Sequence, residues 1–454
     1  MLVLKIYCLS ILEVNFLKIS IIGGTGYVGL TTAACLAFKG HTVYSVGRNI
    51  EKINKINNGI ATVYEECLSD ILRSAISKGL LFATEDHQKA LMNSSIIFIC
   101  VGTPSKEDGS IDLSQIKTAS EQIGESLKKK KDYCVIVVKS TVVPGTTEEF
   151  VIPLIEEKSK KEAGVDFGVC MNPEFLREGS AVKDFLYPKE QGIVIGELDK
   201  RSGDSLFKIY EDFDAKILRT TLRGAEMIKY ARNSYLAKDI SFANEIANLC
   251  RKLGVDYNEV KIGMEMDSRI GRGRFLNAGI GFGGSCFPKD VKALIAKAKS
   301  VGVELGVLER TLLVNEIQPL LMINMLKEFF KPIKGHKIAV LGLAFKKGTD
   351  DMRESRSIPI IRALQKEEAL IYAFDPQATA RSKEIFGNEI YYALTAEEAL
   401  ANAEACLIVT DWPQFSNPKL YNHMKGRIII DGRRILDPEN LSSSFVYRAI
   451  GFPE

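Results

Sequence analysis

Histidine and tryptophan are scarce in this chain, at four and one among 454 residues. His41, His87, His336 and His423 stand far apart with no metal-ligand spacing. All four read as structural, no metal site is expected, and acid–base chemistry falls to carboxylates, lysines and thiols. CxxC pairs are missing although cysteine occurs nine times, and several cysteines sit in apolar runs such as 96–101 and 405–409. These are packing thiols of a reducing compartment, so a cytoplasmic protein is expected. Surplus charge is also missing: 60 basic residues face 57 acidic ones. That balance argues against a nucleic-acid or membrane partner, and the basic runs at 128–131 and 158–161 read as solvated helix ends. Long hydrophobic runs are absent too. The first 17 residues are apolar, but Lys5 and Glu13 interrupt them and no small-residue cleavage site follows. They are too short to span a bilayer. We expect residues 1–17 to be an extension ahead of the first strand, introduced by a start site assigned too far upstream.

What is present is enough apolar residue, 46%, for several cores. Short β-branched runs alternate with amphipathic segments, which predicts strands at 18–22, 42–46, 96–101, 133–138, 167–171, 192–195 and 216–218. Two long helical stretches, 221–253 and 304–330, then break the alternation, the second kinked at Pro319. Strand patterns resume at 337–341, 370–374, 405–409 and 427–430. The fold class is therefore α/β, with two Rossmann-like doubly wound domains joined by a central helical domain. The expected boundaries are 18–220, 221–330 and 331–454. A free-standing helical middle would expose a large apolar surface, so it is the expected interface of a homodimer or higher homo-oligomer.

The first half carries a cofactor signal. Gly24-Thr25-Gly26-Tyr27-Val28-Gly29 follows a predicted strand and opens a predicted helix over 27–38. In that setting the glycines let the backbone approach a pyrophosphate and the helix N-terminus supplies N–H donors. The residue closing the second strand should be an acid that bonds the adenosine ribose. Here it is Gly47, followed by Arg48. NAD remains the expected cofactor, with NADP as the alternative, and Arg48 and Lys52 become candidate contacts. The second half has Gly342-Leu343-Ala344-Phe345-Lys346, a poor dinucleotide cradle but a fair site for another nucleotide.

The densest chemistry lies in Gly281-Phe282-Gly283-Gly284-Ser285-Cys286-Phe287-Pro288-Lys289-Asp290. The glycines permit tight approach to a ligand, Pro288 suits a first helical turn, and 290–301 reads as the helix. Cys286 thus falls near a helix N-terminus beside Lys289, a setting that favours thiolate and a nucleophilic role. Glu174, after the strand at 167–171, is placed to activate water. Lys229 and Asn233, four apart on one helix, share a face and can stabilise one negative oxygen.

Together the segments GGTGYVGL at 23–30, NPEFLREG at 172–179, EMIKYARNSYLA at 226–237, GFGGSCFPKD at 281–290, GLAFKKGTDDMRES at 342–355 and DGR at 431–433 resemble the UDP-glucose/GDP-mannose dehydrogenase family. The resemblance runs in order over about residues 18–440. It implies oxidation of a nucleotide-sugar 6-hydroxyl to a carboxylate by two successive hydride transfers, through a thiohemiacetal and thioester on Cys286. By the same resemblance Glu174 is the acid/base, Lys229 and Asn233 stabilise oxyanions, and Asp290 with Thr141 holds Lys229 and a water. Cofactor contacts are implied for Gly24, Gly26, Tyr27, Val28, Gly29, Thr103, Thr141, Glu178, Lys289 and Arg353. Substrate contacts are implied for Phe175, Leu176, Lys229, Asn233, Asn277, Gly281, Phe282, Gly283, Phe345, Lys346 and Arg433, and for Arg269 from the neighbouring subunit. Phe282 before the Gly-Gly-Ser-Cys turn resembles the uridine-nucleotide branch, so conversion of UDP-glucose to UDP-glucuronate leads. GDP-mannose or UDP-galactose as substrate stays open, as does a catalytically silent nucleotide-sugar binding protein.

Overall fold

The computed structural model describes residues 16–270 and 274–453, so most of the N-terminal extension lies outside the described residues. By internal contacts the chain divides into two compact units. One holds the chain up to Thr103 together with Leu113–Glu226, and the other holds Pro104–Asp112 and the chain from Met227 onward.

The first unit is built on an eight-stranded sheet. In chain order its strands are β1 (Lys18–Ile22), β2 (Thr42–Val46), β3 (Leu81–Thr84), β4 (Ile96–Ile99), β5 (Val135–Val138), β6 (Gly168–Met171), β7 (Ile193–Glu197) and β8 (Ile217–Thr221). The spatial order is β3-β2-β1-β4-β5-β6-β7-β8, doubly wound around β1. Strands β4 and β5 read Ile-Ile-Phe-Ile and Val-Ile-Val-Val and are buried throughout, as parallel strands covered on both faces must be. The helix Tyr27–Phe38 packs on the sheet beside β2, where its Leu30, Ala33 and Ala37 belong to the same buried core. Two findings depart from the sequence reading. Residues 81–84 form an extra edge strand, and β7 pairs antiparallel with β6. The connection from Met171 to Ile193 holds the six-residue helix Ala181–Leu186 and returns the chain beside β6 in the opposite direction.

The second unit contains a six-stranded parallel sheet: β9 (Lys337–Leu341), β10 (Leu370–Phe374), β11 (Tyr391–Tyr392), β12 (Ala405–Ile408), β13 (Ile428–Asp431) and β14 (Val446–Ala449), in the order β11-β10-β9-β12-β13-β14. Strands β11 and β14 are edge strands that the sequence did not signal. The same unit includes nearly all of the 31-residue helix Leu222–Lys252. The stretch expected as one kinked helix is two, Gly306–Ile317 and Leu320–Leu326, parted at Gln318 and Pro319. Along the long helix Met227, Tyr235, Phe242 and Leu249 remain exposed, at a spacing of seven or eight that puts them on one face.

Candidate active site

In the first unit the turn after β1 is shaped by contacts that only glycine permits. Gly23 has φ +85°, and a Cβ there would lie 2.5 Å from the Cys100 carbonyl oxygen. A Cβ on Gly24 would lie 2.5 Å from Ser45 Oγ, and one on Gly29 would lie 2.2 Å from the Gly23 carbonyl oxygen. Gly26, the N-cap of the helix Tyr27–Phe38, has room for a side chain and borders an open cleft instead. Its missing Cβ leaves that cleft open at the helix N-terminus. That cleft, about 330 Å³, is lined by Gly23, Thr25, Gly26, Gly47, Arg48, Asn49, Lys52, Glu85, His87 and Gly102. With the first-turn N–H groups lacking intrahelical partners, the donors, space and basic side chains suit a dinucleotide. His87, read from sequence as structural, lines this cleft. A Cβ on Gly47 would approach Thr25 Cγ2 to 2.3 Å, so any side chain there must displace the adjoining Thr25 side chain.

The carboxyl edge of the same sheet carries Thr141 and Glu174. Thr103 Oγ1 donates to the Thr141 carbonyl at 2.8 Å and Ser140 Oγ donates to the Val101 carbonyl at 2.7 Å, tying the ends of β4 and β5 together. Glu174 is buried, and one of its oxygens accepts from the Leu176 amide at 2.7 Å, which turns the chain back over Phe175. Beneath it Lys139, also buried, donates to Asn172 Oδ1 at 3.0 Å, and Tyr210 donates to that same oxygen at 2.7 Å. Glu178 and Tyr27 are brought close enough for the carboxylate to help hold the phenol proton, after burial and the bond to Glu65.

In the second unit Cys286 is the N-cap of the helix Phe287–Ser300, with Pro288 in its first turn and its carbonyl accepting from the Asp290 amide at 2.8 Å. The helix begins three residues earlier than the sequence reading placed it. The thiol is half-buried and Ser285 Oγ lies 3.6 Å from Sγ. Asp290 is buried and bridges two other candidates: Asn233 Nδ2 donates to it at 2.6 Å and Lys289 Nζ pairs with it at 2.6 Å. Lys229, one turn before Asn233, is buried as well.

The glycine loop ahead of Cys286 is held from below. Gly281 has φ +93°, and Asn315 brackets Phe282, accepting from its amide at 2.7 Å and donating to its carbonyl at 3.0 Å. A Cβ on Gly283 would lie 2.2 Å from the Glu354 carbonyl oxygen. Arg433 reaches the Val409 carbonyl at 2.8 Å, the Phe345 carbonyl at 3.3 Å and the Gly281 carbonyl at 3.5 Å, so it joins the DGR segment to both loops. Lys346 lies 5.6 Å from the Phe345 ring. Asn277 accepts from Lys261 at 2.6 Å. Arg353 and Arg269 extend into solvent on ion pairs with Asp351 and Asp267.

The candidate residues thus gather in two sets, one per unit: the glycine turn, Arg48, Lys52, Thr103, Thr141, Glu174, Phe175, Leu176 and Glu178 in the first, the thiol group and the Phe345 and Arg433 loops in the second. Two acids that organise them, Glu65 and Glu226, escaped the sequence reading. Glu65 accepts from the amides of Gly179 and Ala181, each at 2.8 Å, and from the Tyr27 hydroxyl, so it joins the glycine turn to the NPEFLREG loop. Lys139 closes a run of four buried aliphatic residues at the end of β5. Glu226 is fully buried and accepts from residues 145 and 147. Among the described residues no helix is long and apolar enough to cross a membrane.

Residues 17–214, 223–317 and 339–438 match in turn the NAD binding, central and UDP binding domains of the UDP-glucose/GDP-mannose dehydrogenase family. The chain is 44% identical over 426 residues to a UDP-glucose 6-dehydrogenase of Haloferax volcanii, covering 92% of this chain and 97% of that one. It is 40% identical over 440 residues to a Bacillus subtilis UDP-glucose 6-dehydrogenase, covering 96% and 93%. Among solved structures, a UDP-glucose dehydrogenase from the archaeon Pyrobaculum islandicum superposes with a TM-score of 0.91 at 37% identity, covering 98% of this chain and all of the other.

Proposed function

The chain belongs to the UDP-glucose/GDP-mannose dehydrogenase family, and on that premise we propose that it oxidises the 6-hydroxyl of UDP-glucose to the carboxylate of UDP-glucuronate. It is an oxidoreductase, and the nicotinamide, when bound, accepts a hydride in each of two rounds. The observation that carries this reading is Cys286 at a helix N-cap, half-buried, with Lys289 and the bridged Asp290 in the first turn. In our reading the thiol adds to the intermediate aldehyde, loss of the second hydride leaves a thioester, and water releases the acid and frees the thiol. Glu174 takes the proton of the attacking water. Lys229 and Asn233 donate to the oxygen on which charge develops, and Asp290 holds Asn233 in place. Thr141 positions the water.

Phe282, Phe345, Lys346 and Arg433 are assigned to the UDP-sugar, and the glycine turn with Thr103, Glu178, Lys289 and Arg353 to the cofactor. NAD is the primary cofactor. Arg48 and Lys52 beside Gly47 support use of NADP as well, since position 47 itself carries no carboxylate to bond the ribose hydroxyls, while Glu85 on the same lining opposes a ribose phosphate. The exposed stripe Met227, Tyr235, Phe242 and Leu249 supports a homodimer, with Arg269 directed to the partner's site and the protein working in a reducing cytoplasm.

The test is stoichiometric. Two reduced nicotinamides should form per UDP-glucose, and Glu174→Gln should accumulate an adduct on Cys286 visible by intact mass. One reduced nicotinamide per sugar, or no adduct in that variant, would overturn the thioester route.

A further inference from the structure

Glu226 is a carboxylate with no exposed surface, and its hydrogen bonds run to neutral donors. It accepts from the Gly145 amide at 2.6 Å, from the Thr147 amide at 2.8 Å and from Thr147 Oγ1 at 2.6 Å. Arg223, one turn earlier, is engaged with Glu148 and Glu149. Burying an acid on neutral donors is costly. A glutamine of the same shape would avoid that cost, but its amide offers one acceptor oxygen and places a donor against a donor. Only an acceptor at both oxygens satisfies all three donors together.

Those donors belong to one turn. Gly145 takes φ +97°, Thr146 closes the turn onto the Val143 carbonyl, and a π-helical turn, Thr147–Val151, starts directly after. Wide turns of this kind are rare and concentrate at functional sites. Four residues before Gly145 stands Thr141, whose own carbonyl is held by Thr103. The segment between them is therefore pinned at one end by the strand edge and at the other by Glu226.

We propose that Glu226 is a positioning residue of the reaction: its carboxylate fixes the turn at residues 143–147 and so sets the placement of Thr141. This rests on the reading of Thr141 as the residue that positions the hydrolytic water. Glu226 touches no reactant and acts through the turn alone.

Four variants decide it: Glu226→Gln, Thr147→Val, Thr141→Ala and the double variant Glu226→Gln/Thr141→Ala. Amide exchange at Gly145 and Thr147 reads the turn, and single-turnover kinetics separate cofactor reduction from acid release. In Glu226→Gln the two amides should exchange at least about tenfold faster. Acid release should slow by about tenfold or more while the UDP-glucose dissociation constant stays at the wild-type value. Thr147→Val, which removes one donor and keeps both amides, should show the same pattern more weakly and guards against a folding defect in the glutamine variant. The double variant should release acid no more slowly than Thr141→Ala alone. Additive losses, or a lower melting temperature with wild-type acid release, would overturn the proposal. Wild-type acid release in Thr141→Ala would instead overturn the reading of Thr141, and unchanged amide exchange in Glu226→Gln would still by itself remove Glu226 from the turn.

Discussion

Asn233 Nδ2 lies 2.6 Å from Asp290 Oδ2, while Lys289 Nζ lies 2.6 Å from the other oxygen of the same carboxylate. One buried acid therefore orients an amide from the long helix and an ammonium from the helix capped by Cys286. Replacing Asp290 with asparagine leaves one acceptor for two donors and turns a charge-assisted pair into a mismatch. We expect Asp290→Asn to lower stability by about 2–4 kcal/mol in urea denaturation. Turnover should fall by more than about tenfold, because Asn233 loses its anchor. A variant with wild-type midpoint and wild-type turnover would show that the bridge organises nothing.

Cys286→Ser should bind UDP-glucose with an unchanged dissociation constant and yet form no acid. The thiol acts as a nucleophile and serine is too weakly acidic to replace it, whereas the glycine loop ahead of it is braced by Asn315 and Arg433. Calorimetry on the variant reads the first half of this expectation and acid formation the second. Appreciable UDP-glucuronate from the serine variant would remove Cys286 from the chemistry.

What could be read from the sequence were features whose causes are local. The glycine turn needed only a strand before it and a helix after it, and Cys286 needed only Pro288 and Asp290 to mark a helix start. Strands such as β9 and β10 announced themselves as β-branched runs. Residues 81–84 and 391–392 did not, because two to four residues at a sheet edge carry too little periodicity. Glu226 and Glu65 were illegible for a different reason. Their partners are backbone amides 79 and 116 positions away, and a carboxylate that binds backbone leaves no matching residue type in the sequence to signal it. The reversal of β7 was equally hidden, since a strand pattern does not state its direction.

Burial pushes the Glu226 carboxyl up to about 7, against the pull of its three donors, and Glu148 adds to the rise. An acid whose folded pKa exceeds its unfolded value stabilises the fold fully below about pH 4.5 and loses that contribution as pH rises through about 7. Stability attributable to this group should therefore decline between about pH 5 and about pH 8, by on the order of 3 kcal/mol at most. Glu226→Gln cannot ionise and should lack that slope. Urea midpoints for both proteins across this range isolate the effect as a difference. Parallel curves would mean that Glu226 is ionised throughout and that its donors outweigh its burial.

Gly47 and Thr25 adjoin on the lining of one cleft, and a Cβ at position 47 would fall 2.3 Å from Thr25 Cγ2 and 3.1 Å from Thr25 Cβ. Restoring the ribose-binding acid is therefore a two-residue change. Gly47→Asp alone should weaken binding of either cofactor, because Thr25 must move into the cleft. With Thr25→Ala the nearest obstacle becomes the Cβ at 3.1 Å, which a few tenths of an ångström of adjustment relieves. The double variant should then prefer NAD, since a carboxylate bonds a ribose hydroxyl and repels a ribose phosphate. Arg48→Ala should act on the other side of the same balance. A charge-assisted bond to phosphate is worth about 1.5–3 kcal/mol, so NADP affinity should drop by about one to two decades while NAD is unaffected. Equal NAD affinity in the single and double variants would show that Thr25 does not constrain position 47. No rate with NADP in the wild type, together with indifference to Arg48→Ala, would make Arg48 a solvated loop residue and leave the cleft specific for NAD by other means.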